Sequence, residues 1–450
     1  MSKLWIKNPL AIFTANDLDA SNGIVIENGK IIELIAKGHS PSQPIDQTFD
    51  ASNLVITPGL INCHHHFFQT LTRAWTPVVN KPLFSWLTTL YPVWANLDED
   101  QLHLATQVAL AELLLSGCTM AADHHYLFPK QLNSAIDIQI QAASEIGLRV
   151  MLTRGSMSLG EEDGGLPPQS TIQDMQIILD DSKRLIQQYH QRGEDAMINI
   201  ALAPCSPFSV TQEVMIETAK IAEQMDVRMH THLAETIDEE NYCLEKFGMR
   251  TVDYLESVNW LNSRTWLAHG IHFNAKEIQR LGKAQVGICH CPHSNMRLAS
   301  GICPTIDLLN AGATIGLGVD GSASGDASNL LLEARQALYL QRLKYGAETI
   351  TPELALGWAT QGSAKLLGRQ DHLGQIAPNF QADLACYTLD EIKFSGSHDP
   401  VAALLLCGAD HAEHVMVKGN WVVKHREIQN LDLDELSAKH RAAAKQLLAS

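Results

Sequence analysis

The pattern of hydrophobic and polar residues predicts short β-strands near the two ends of this chain and alternating strands and helices between them. From residue 5 to about residue 55, short β-branched runs are separated by turn residues, and Asn28-Gly29 lies between two such runs, which is a hairpin signal. The same style returns at residues 382–387 and 414–423, where Gly419-Asn420 predicts a second turn. Because unpaired sheet edges are a liability, we expect both ends of the chain to pair into one small antiparallel β-sandwich.

Between these ends, short apolar runs alternate with segments of helical period. The predicted strands are 59–66, 119–123, 148–153, 197–203, 227–232, 265–269, 285–290 and 314–319. The predicted helices are 102–115, 132–146, 172–189, 212–224, 238–256, 275–281, 305–310 and 330–344. Eight strand–helix units predict an α/β fold, a (β/α)8 TIM barrel. A doubly wound open sheet is the alternative, but no Gly-rich phosphate-binding sequence follows an early strand.

The pattern divides the chain into three parts. We predict the first part of the sandwich over 1–57, the barrel over 58–370, and the rest of the sandwich with a C-terminal helix over 371–450. Two further helices are expected, over 352–367 and 433–448. The second is rich in Ala and Leu, so we expect it to pack on the barrel exterior or on a neighbouring subunit of a homo-oligomer.

The composition and net charge of the chain indicate which classes of partner this protein can bind. Its 450 residues are 45% hydrophobic and 18% charged, with a net charge of −17. That charge repels a phosphate backbone and an anionic membrane, and no run of about 18 apolar residues predicts a membrane span. Nine cysteines, an odd number scattered along the chain, do not form a disulfide framework. We expect a cytoplasmic protein with reduced cysteines, and neither nucleic acid nor membrane as a partner.

Three consecutive histidines follow the first predicted barrel strand. Side chains two residues apart on a strand share a face, so His64 and His66 point to one place, while His65 points away and packs. A tag or a surface cluster would also give three histidines, but this cluster is internal and follows a strand with a buried pattern. We interpret His64 and His66 as ligands of a divalent metal.

Further ligand-type residues end other predicted strands. Predicted strand five ends in His232, strand six ends in His269, and Asp320 stands at the end of strand eight. The carboxyl ends of barrel strands form the active site in this fold. His64, His66, His232 and Asp320 make a plausible set of three nitrogens and one oxygen for one divalent metal ion, zinc or alternatively ferrous iron, with room for a water. Glu235, three residues after His232, is placed to shuttle protons, or alternatively to interact with the dipole of the next helix.

Several segments together resemble the amidohydrolase superfamily, in the branch that deaminates or dechlorinates nitrogen heterocycles; they are 58–66, 230–236, 268–272, 290–295, 316–321 and 359–365. The resemblance implies that His64, His66, His232 and Asp320 bind one metal ion. It also implies that His269 contacts the hydrolytic water or the substrate, and that Glu235 and Asp320 move protons. Dinuclear members carry a bridging Lys or Glu after strand four, where this chain has only Cys205 as an alternative ligand.

The loops at 66–74, 123–129, 153–158 and 295–301 are similar to those of 8-oxoguanine deaminases. On this basis we expect a small heterocyclic substrate, with 8-oxoguanine giving urate and ammonia, and isocytosine as a smaller alternative. The expected substrate contacts are Gln69, Arg154, His269 and Asn295. The alternative for Gln69 is a loop cap, and the alternative for Arg154 is a structural pair with a carboxylate such as Asp123. Other open readings are deamination of guanine, a triazine or an S-adenosylhomocysteine or adenosine type of substrate, a chlorohydrolase, and a non-catalytic metal-binding barrel.

Overall fold

The computed structural model describes residues 2–449. The chain begins with six strands: β1 Leu4–Lys7, β2 Ala11–Ile12, β3 Gly23–Glu27, β4 Lys30–Ile35, β5 Gln47–Asp50 and β6 Leu54–Pro58. β3 and β4 form the hairpin predicted at Asn28-Gly29. They lie in a sheet of order β4-β3-β1-β5, in which β5 runs parallel to β1. The prediction of a wholly antiparallel sheet is therefore wrong at this edge.

Eight parallel strands form the central barrel, as predicted. They are β7 Leu60–Asn62, β8 Cys118–His125, β9 Arg149–Ser156, β10 Ile198–Pro204, β11 Met229–Leu233, β12 Thr265–His269, β13 Gly287–His290 and β14 Thr314–Leu317. Strands that follow each other in the chain are neighbours in the sheet. The ring closes where the Cys63 amide donates to the Leu317 carbonyl at 2.9 Å. All eight carboxyl ends therefore meet at one rim.

The first barrel strand is shorter than predicted, because it ends at Asn62 and not at His66. The histidines still lie between two neighbouring segments. The Asp320 amide donates to the His64 carbonyl at 3.2 Å, and the His124 amide donates to the His65 carbonyl at 2.7 Å. These bonds hold the backbone of the three histidines extended, so that the side chains of His64 and His66 lie on the same face.

Fifteen α-helices lie within residues 2–449. They are α1 Leu83–Trp94, α2 Glu99–Leu115, α3 Ala135–Ile146, α4 Met175–Tyr189, α5 Gln212–Gln224, α6 Ile237–Phe247, α7 Thr251–Ser257, α8 Ala275–Lys283, α9 Pro292–Arg297, α10 Thr305–Ala311, α11 Leu330–Tyr345, α12 Pro352–Gly357, α13 Ser363–Leu366, α14 Pro400–Ala403 and α15 Leu433–Ala449. The helix predicted over 238–256 is two helices, because Gly248 has a left-handed backbone that ends α6. A π-helical turn, Trp358–Gly362, interrupts the helix predicted over 352–367.

A second terminal sheet joins the two ends of the chain. Its later strands are β15 Leu384–Thr388, β16 His414–Val417, β17 Asn420–Lys424 and β18 Glu427–Ile428, in the order β18-β17-β16-β15-β6-β2. β6 pairs antiparallel with β15, which confirms the predicted union of the termini, while β2 is parallel to β6. The turn between β16 and β17 lies at Lys418-Gly419, one residue before its predicted position.

The last helix, α15, packs against α2 on the outside of the barrel. There the His440 ring lies 3.0 Å from the Thr70 hydroxyl, Nε2 to Oγ1, which brings the C-terminal helix to the loop after the first barrel strand. Across residues 2–449, none of the helices has the length and apolar character that spanning a membrane requires. The three-part division at residues 57 and 370 remains a prediction.

Candidate metal centre and active site

Three imidazoles and one carboxylate converge at the carboxyl rim of the barrel. The Nε2 atoms of His66 and His232 are 3.1 Å apart. Oδ1 of Asp320 lies 3.2 Å from Nε2 of His64 and 3.4 Å from Nε2 of His66. Two ligands that are about 2.0–2.1 Å from one tetrahedral zinc ion are about 3.3 Å from each other. The spacing of these four groups therefore fits one shared ion.

Hydrogen bonds decide which nitrogen of His66 and of His232 is available to a metal. Nδ1 of His66 lies 2.7 Å from the His124 carbonyl, and Nδ1 of His232 lies 2.7 Å from the Cys205 carbonyl. A carbonyl only accepts, so each Nδ1 carries the proton. In both neutral rings this leaves the Nε2 lone pair directed at the site.

His64 reaches the same state through a second histidine. Nδ1 of His230 faces the Trp266 carbonyl at 2.9 Å and must donate to it. Neutral His230 then has a bare Nε2, which accepts from Nδ1 of His64 at 2.8 Å. Burial is the main cause that holds the pKa of His64 and of His230 well below the usual range, so both rings are neutral.

The protonation states of these four groups suit a bound divalent cation. Nε2 of His64 is buried and has no hydrogen-bond partner in the described part of the chain, although it faces the Asp320 carboxylate. A lone pair beside a carboxylate is unfavourable unless a cation lies between them. Burial also lowers the pKa of His232 to about 3, and a neutral imidazole is the form that binds a metal.

The backbone at the site is strained in a consistent way. Ala234, His269 and Asp320 all have positive φ, between 55° and 68°, and such conformations in residues other than glycine cluster at functional sites. β14 ends at Leu317, two residues earlier than predicted, so Asp320 lies three residues beyond the strand. The Gly321 amide donates to its Oδ1 at 2.7 Å, and the Ser324 hydroxyl donates to its Oδ2 at 3.1 Å.

Asp320 is a carboxylate and not a carboxylic acid in this setting. Burial by itself would raise its pKa, but the pKa lies well below its usual range, and the Gly321 amide and the Ser324 hydroxyl both donate to the charged form. The second carboxylate oxygen, Oδ2, lies 3.9 Å from Nε2 of His269. It is therefore placed to accept a proton from a water bound near the metal ligands.

His269 is oriented by Asn295, whose Oδ1 lies 2.9 Å from Nδ1 of the ring. Its other nitrogen, Nε2, is 3.5 Å from the Glu235 carboxylate. Burial lowers the pKa of His269, but Glu235 and Asp320 outweigh burial and raise it. Asn295 does not line the pocket. Its carbonyl oxygen holds the His269 ring, while its Nδ2 is buried without a partner among residues 2–449, so the substrate contact of Asn295 remains a prediction.

Glu235 faces the pocket and does not cap the next helix. The Thr236 hydroxyl caps α6, and the carboxylate of Glu239 accepts from the amides of Ala234 and Glu235 at 2.9 Å each. The only hydrogen bond to the Glu235 carboxyl among the described residues is a long one, 3.5 Å, from the Ser300 hydroxyl. Burial raises the pKa of Glu235 to about 7, which suits a group that both takes and gives a proton near neutral pH.

Gln69 lines the pocket, as its predicted role requires. Its Oε1 accepts from the Ala323 amide at 3.3 Å, so the carboxamide is fixed relative to Asp320 and its loop. The carboxamide also lies against Gly321, where a Cβ atom would come within 2.0 Å of Oε1. Glycine at 321 is what allows this close approach.

The structure does not bring Arg154 to the pocket, which corrects the predicted substrate contact. Its Nε donates to Asp181 at 2.7 Å, and its terminal nitrogen donates to Gln173 at 2.9 Å. The guanidinium also stacks 3.8 Å from the centre of the Phe128 ring. Successive side chains of β9 point to opposite sides of the barrel wall, and Arg154 falls on the outer side. Its carboxylate partner is Asp181 and not Asp123.

The apolar side chains that line one side of the pocket were not predicted from the sequence. Leu83, Trp86, Leu87 and Tyr91 come from α1, for which no helix was predicted, although their spacing is helical. The remaining pocket residues that were not predicted to contact substrate are Tyr126, Cys205, Phe208, Leu298 and Ser324. Trp86 Nε1 and the Tyr91 hydroxyl are buried and have no hydrogen-bond partner among residues 2–449. Two donors without partners in a pocket are candidates for contacts with a ligand.

The alternative metal ligands do not take part. Burial raises the pKa of Cys205 to about 12, so it is a thiol and a poor bridging ligand. Its Sγ is 3.9 Å from Nδ1 of His232, on the side of the ring away from the site. His65 bonds Ser328 at 2.7 Å, in keeping with its predicted packing role.

Comparisons with known proteins agree with this architecture. The profile of the amidohydrolase family matches residues 55–422. An 8-oxoguanine deaminase from Pseudomonas aeruginosa is 68% identical over 449 residues, covering 100% of both chains. An isoxanthopterin deaminase from an unknown prokaryotic organism is 31% identical, covering 92% of this chain and 90% of that protein. The crystal structure of an atrazine chlorohydrolase from Arthrobacter aurescens, complexed with zinc, has a TM-score of 0.92 at 31% identity and covers 98% of this chain and 100% of that one.

Proposed function

This chain belongs to the amidohydrolase family, and from that premise we propose that it hydrolyses 8-oxoguanine to urate and ammonia. The observation that carries the proposal is the arrangement of Glu235, His269 and Asp320 around four convergent metal-ligand groups. The full-length identity of 68% to an 8-oxoguanine deaminase supports the choice of substrate. The enzyme is a hydrolase that acts on the C–N bond of a cyclic amidine.

We propose zinc as the divalent metal, held by His64, His66, His232 and Asp320. Three imidazoles and one carboxylate with an open position suit catalytic zinc, and the related atrazine chlorohydrolase was crystallised with zinc. When bound, such an ion lowers the pKa of a coordinated water to about 7. With one carboxylate in the ligand set and Cys205 protonated, one ion per chain is expected.

The proton path follows from the distances between the acidic groups. Asp320 Oδ2 takes a proton from the attacking water, and His269 steadies the incoming oxygen through Nε2. Glu235 delivers a proton to the ring nitrogen beside the carbon that carries the exocyclic amine. Water adds to that carbon, and Asp320 then gives its proton to the exocyclic nitrogen. The C–N bond breaks, ammonia leaves, and Glu235 regains a proton from the added hydroxyl, so that the amine of 8-oxoguanine is replaced by the oxo group of urate.

Polar groups around the pocket suit an oxidised purine. Gln69 offers both a donor and an acceptor, the complement of an amide-like ring edge. Trp86 Nε1 and the Tyr91 hydroxyl are donors without partners in the protein, and the two oxo groups of 8-oxoguanine are acceptors. The apolar side chains of α1 cover the flat faces of the ring, which is the usual balance in a small-molecule site.

We also propose that the protein is located in the cytoplasm and forms a homo-oligomer. The nine cysteines are free thiols, and eight of them are buried, a pattern typical of a reducing compartment. Leu343 and Ile392 are large apolar side chains that are 84% and 92% exposed, and they are candidates for burial between subunits.

The direct test incubates the metal-loaded protein with 8-oxoguanine and measures urate and ammonia. Equal amounts of the two products are expected, together with about one zinc per chain. Removal of the metal by a chelator should abolish turnover, and zinc should restore it. Turnover that survives complete removal of the metal would contradict the proposal.

A further inference from the structure

A second cavity lies at the opposite end of the barrel from the metal ligands. It has a volume of about 370 Å³ and opens near the amino ends of β9, β10 and β11. The described residues of its lining include four arginines, Arg192, Arg228, Arg264 and Arg369, and one carboxylate, Asp226. Burial lowers the pKa of His190, which also lines the cavity, so that ring is neutral. The cavity is therefore strongly cationic, although the whole chain carries a net charge of −17.

Arg228 is the unusual member of this set. Its side chain makes no hydrogen bond or ion pair with any of residues 2–449, and its Nε is buried without a partner. Its guanidinium lies 5.9 Å from the centre of the Trp266 ring. Burial lowers the pKa of Arg228 to about 10, so the group remains charged at neutral pH. An arginine that is largely removed from water normally has a charged partner.

The other arginines do not neutralise the cavity. Arg369 is only 6% exposed, and it donates to neutral oxygens, among them Oδ1 of Asn199 at 2.8 Å and the Glu194 carbonyl at 2.8 Å. Arg264 and Arg192 share the single carboxylate of Asp226, at 2.6 Å and 3.6 Å. Arg228 and Arg369 are thus two guanidinium groups without a carboxylate of their own.

We propose that this cavity is a binding site for a small oxyanion, a phosphate or the phosphoryl group of a small phosphorylated molecule, with Arg228 as its main contact. The planar fork of arginine matches phosphate oxygens with two parallel hydrogen bonds. His230 and Trp266, whose rings stack 4.4 Å apart, lie between Arg228 and the metal ligand His64. The site is therefore separate from the catalytic pocket and does not depend on the function proposed above.

The test titrates the metal-loaded full chain with inorganic phosphate, and separately with a nucleoside monophosphate, by calorimetry. Arg228→Gln should weaken binding at least about tenfold, because it removes charge-assisted hydrogen bonds. Arg280→Gln is the matched control, since Arg280 lies on the surface and pairs with Asp253 and Glu256. It should bind as the wild type does. Tighter binding of the nucleotide than of phosphate would identify a phosphorylated molecule as the ligand, and equal binding would identify free phosphate.

Thermal unfolding gives a second readout of the same site. Phosphate should raise the melting temperature of the wild type and of Arg280→Gln, but not that of Arg228→Gln. Without phosphate, Arg228→Gln should melt at or above the wild-type temperature, because it removes an unpaired buried charge. Equal phosphate affinity in the wild type and Arg228→Gln, as binding at the metal centre alone would give, would overturn the proposal.

Discussion

Nδ1 of His64 lies 2.8 Å from Nε2 of His230, and this contact fixes which nitrogen of His64 faces the other metal ligands. Partners of this kind orient a ligand and increase its basicity, and their loss typically costs 10–100-fold in metal affinity. We predict that His230→Phe, which keeps an aromatic ring against Trp266, weakens zinc binding by about 10–100-fold. Competition with a chelator measures the affinity.

The control for this prediction is His290→Phe. His290 is a buried histidine that bonds Gln341 at 3.1 Å and contacts none of the four ligands. Its replacement should disturb packing to a similar degree and leave zinc affinity close to that of the wild type. Equal losses in the two variants would mean that His230 acts through packing and not by holding His64.

Glu235→Gln should abolish most turnover and leave the metal content unchanged. The amide keeps the shape of the side chain but cannot relay a proton, and general acid–base catalysis contributes about 10²-fold or more. The expected loss is therefore at least about 10²-fold in kcat. Glu245→Gln, an exposed change on the helix α6, is the control. Retention of most activity in Glu235→Gln would assign Glu235 a structural role.

The same residue should make the stability of the metal-free protein depend on pH. Burial raises the pKa of Glu235 to about 7, above its value of about 4.3 in the unfolded chain. The folded state then binds the extra proton, so this contribution to stability is present below about pH 4.3 and is lost as the pH rises through about 7. Between pH 5 and 8, Glu235→Gln should gain stability relative to the wild type by up to about 3 kcal/mol.

Urea unfolding at several pH values measures this difference. Metal loading should shrink it, because a nearby cation favours the carboxylate. A difference between variant and wild type that does not change with pH in the metal-free protein would show that Glu235 titrates near its ordinary pKa.

Replacement of Tyr91 tests which polar groups of the pocket form hydrogen bonds with the substrate. Its hydroxyl is buried without a partner in the protein, and we propose that it donates to an oxo group of 8-oxoguanine. Tyr91→Phe should lower kcat/KM for 8-oxoguanine by about tenfold, the value of one good hydrogen bond. If the contact is to the five-membered ring, isocytosine, which lacks that ring, should be affected much less. An unchanged kcat/KM for both compounds would remove Tyr91 from the contacts.

The sequence predicted the barrel because its eight apolar runs and intervening helices are local patterns. It predicted that His64, His66 and His232 lie together, because residues two apart in an extended chain share a face and strand ends meet at one rim. It could not reveal that Arg154 points outward, since the side of the barrel wall depends on the strand register. It also could not show that the carbonyl of Asn295 is occupied by His269, because that contact joins the end of β12 to the helix α9. The helix α1 was missed although Leu83, Trp86, Leu87 and Leu90 have helical spacing.

We propose that this site deaminates an oxidised purine. The value of kcat/KM for 8-oxoguanine, isocytosine, guanine and adenosine, measured on one zinc-loaded preparation, tests this proposal. A site built to hydrogen-bond a particular edge rejects analogues that leave its buried polar groups unpaired, by as much as about 10⁴-fold. We predict that 8-oxoguanine, and to a lesser degree isocytosine, are turned over far faster than guanine or adenosine. A clear preference for guanine or adenosine would contradict the account.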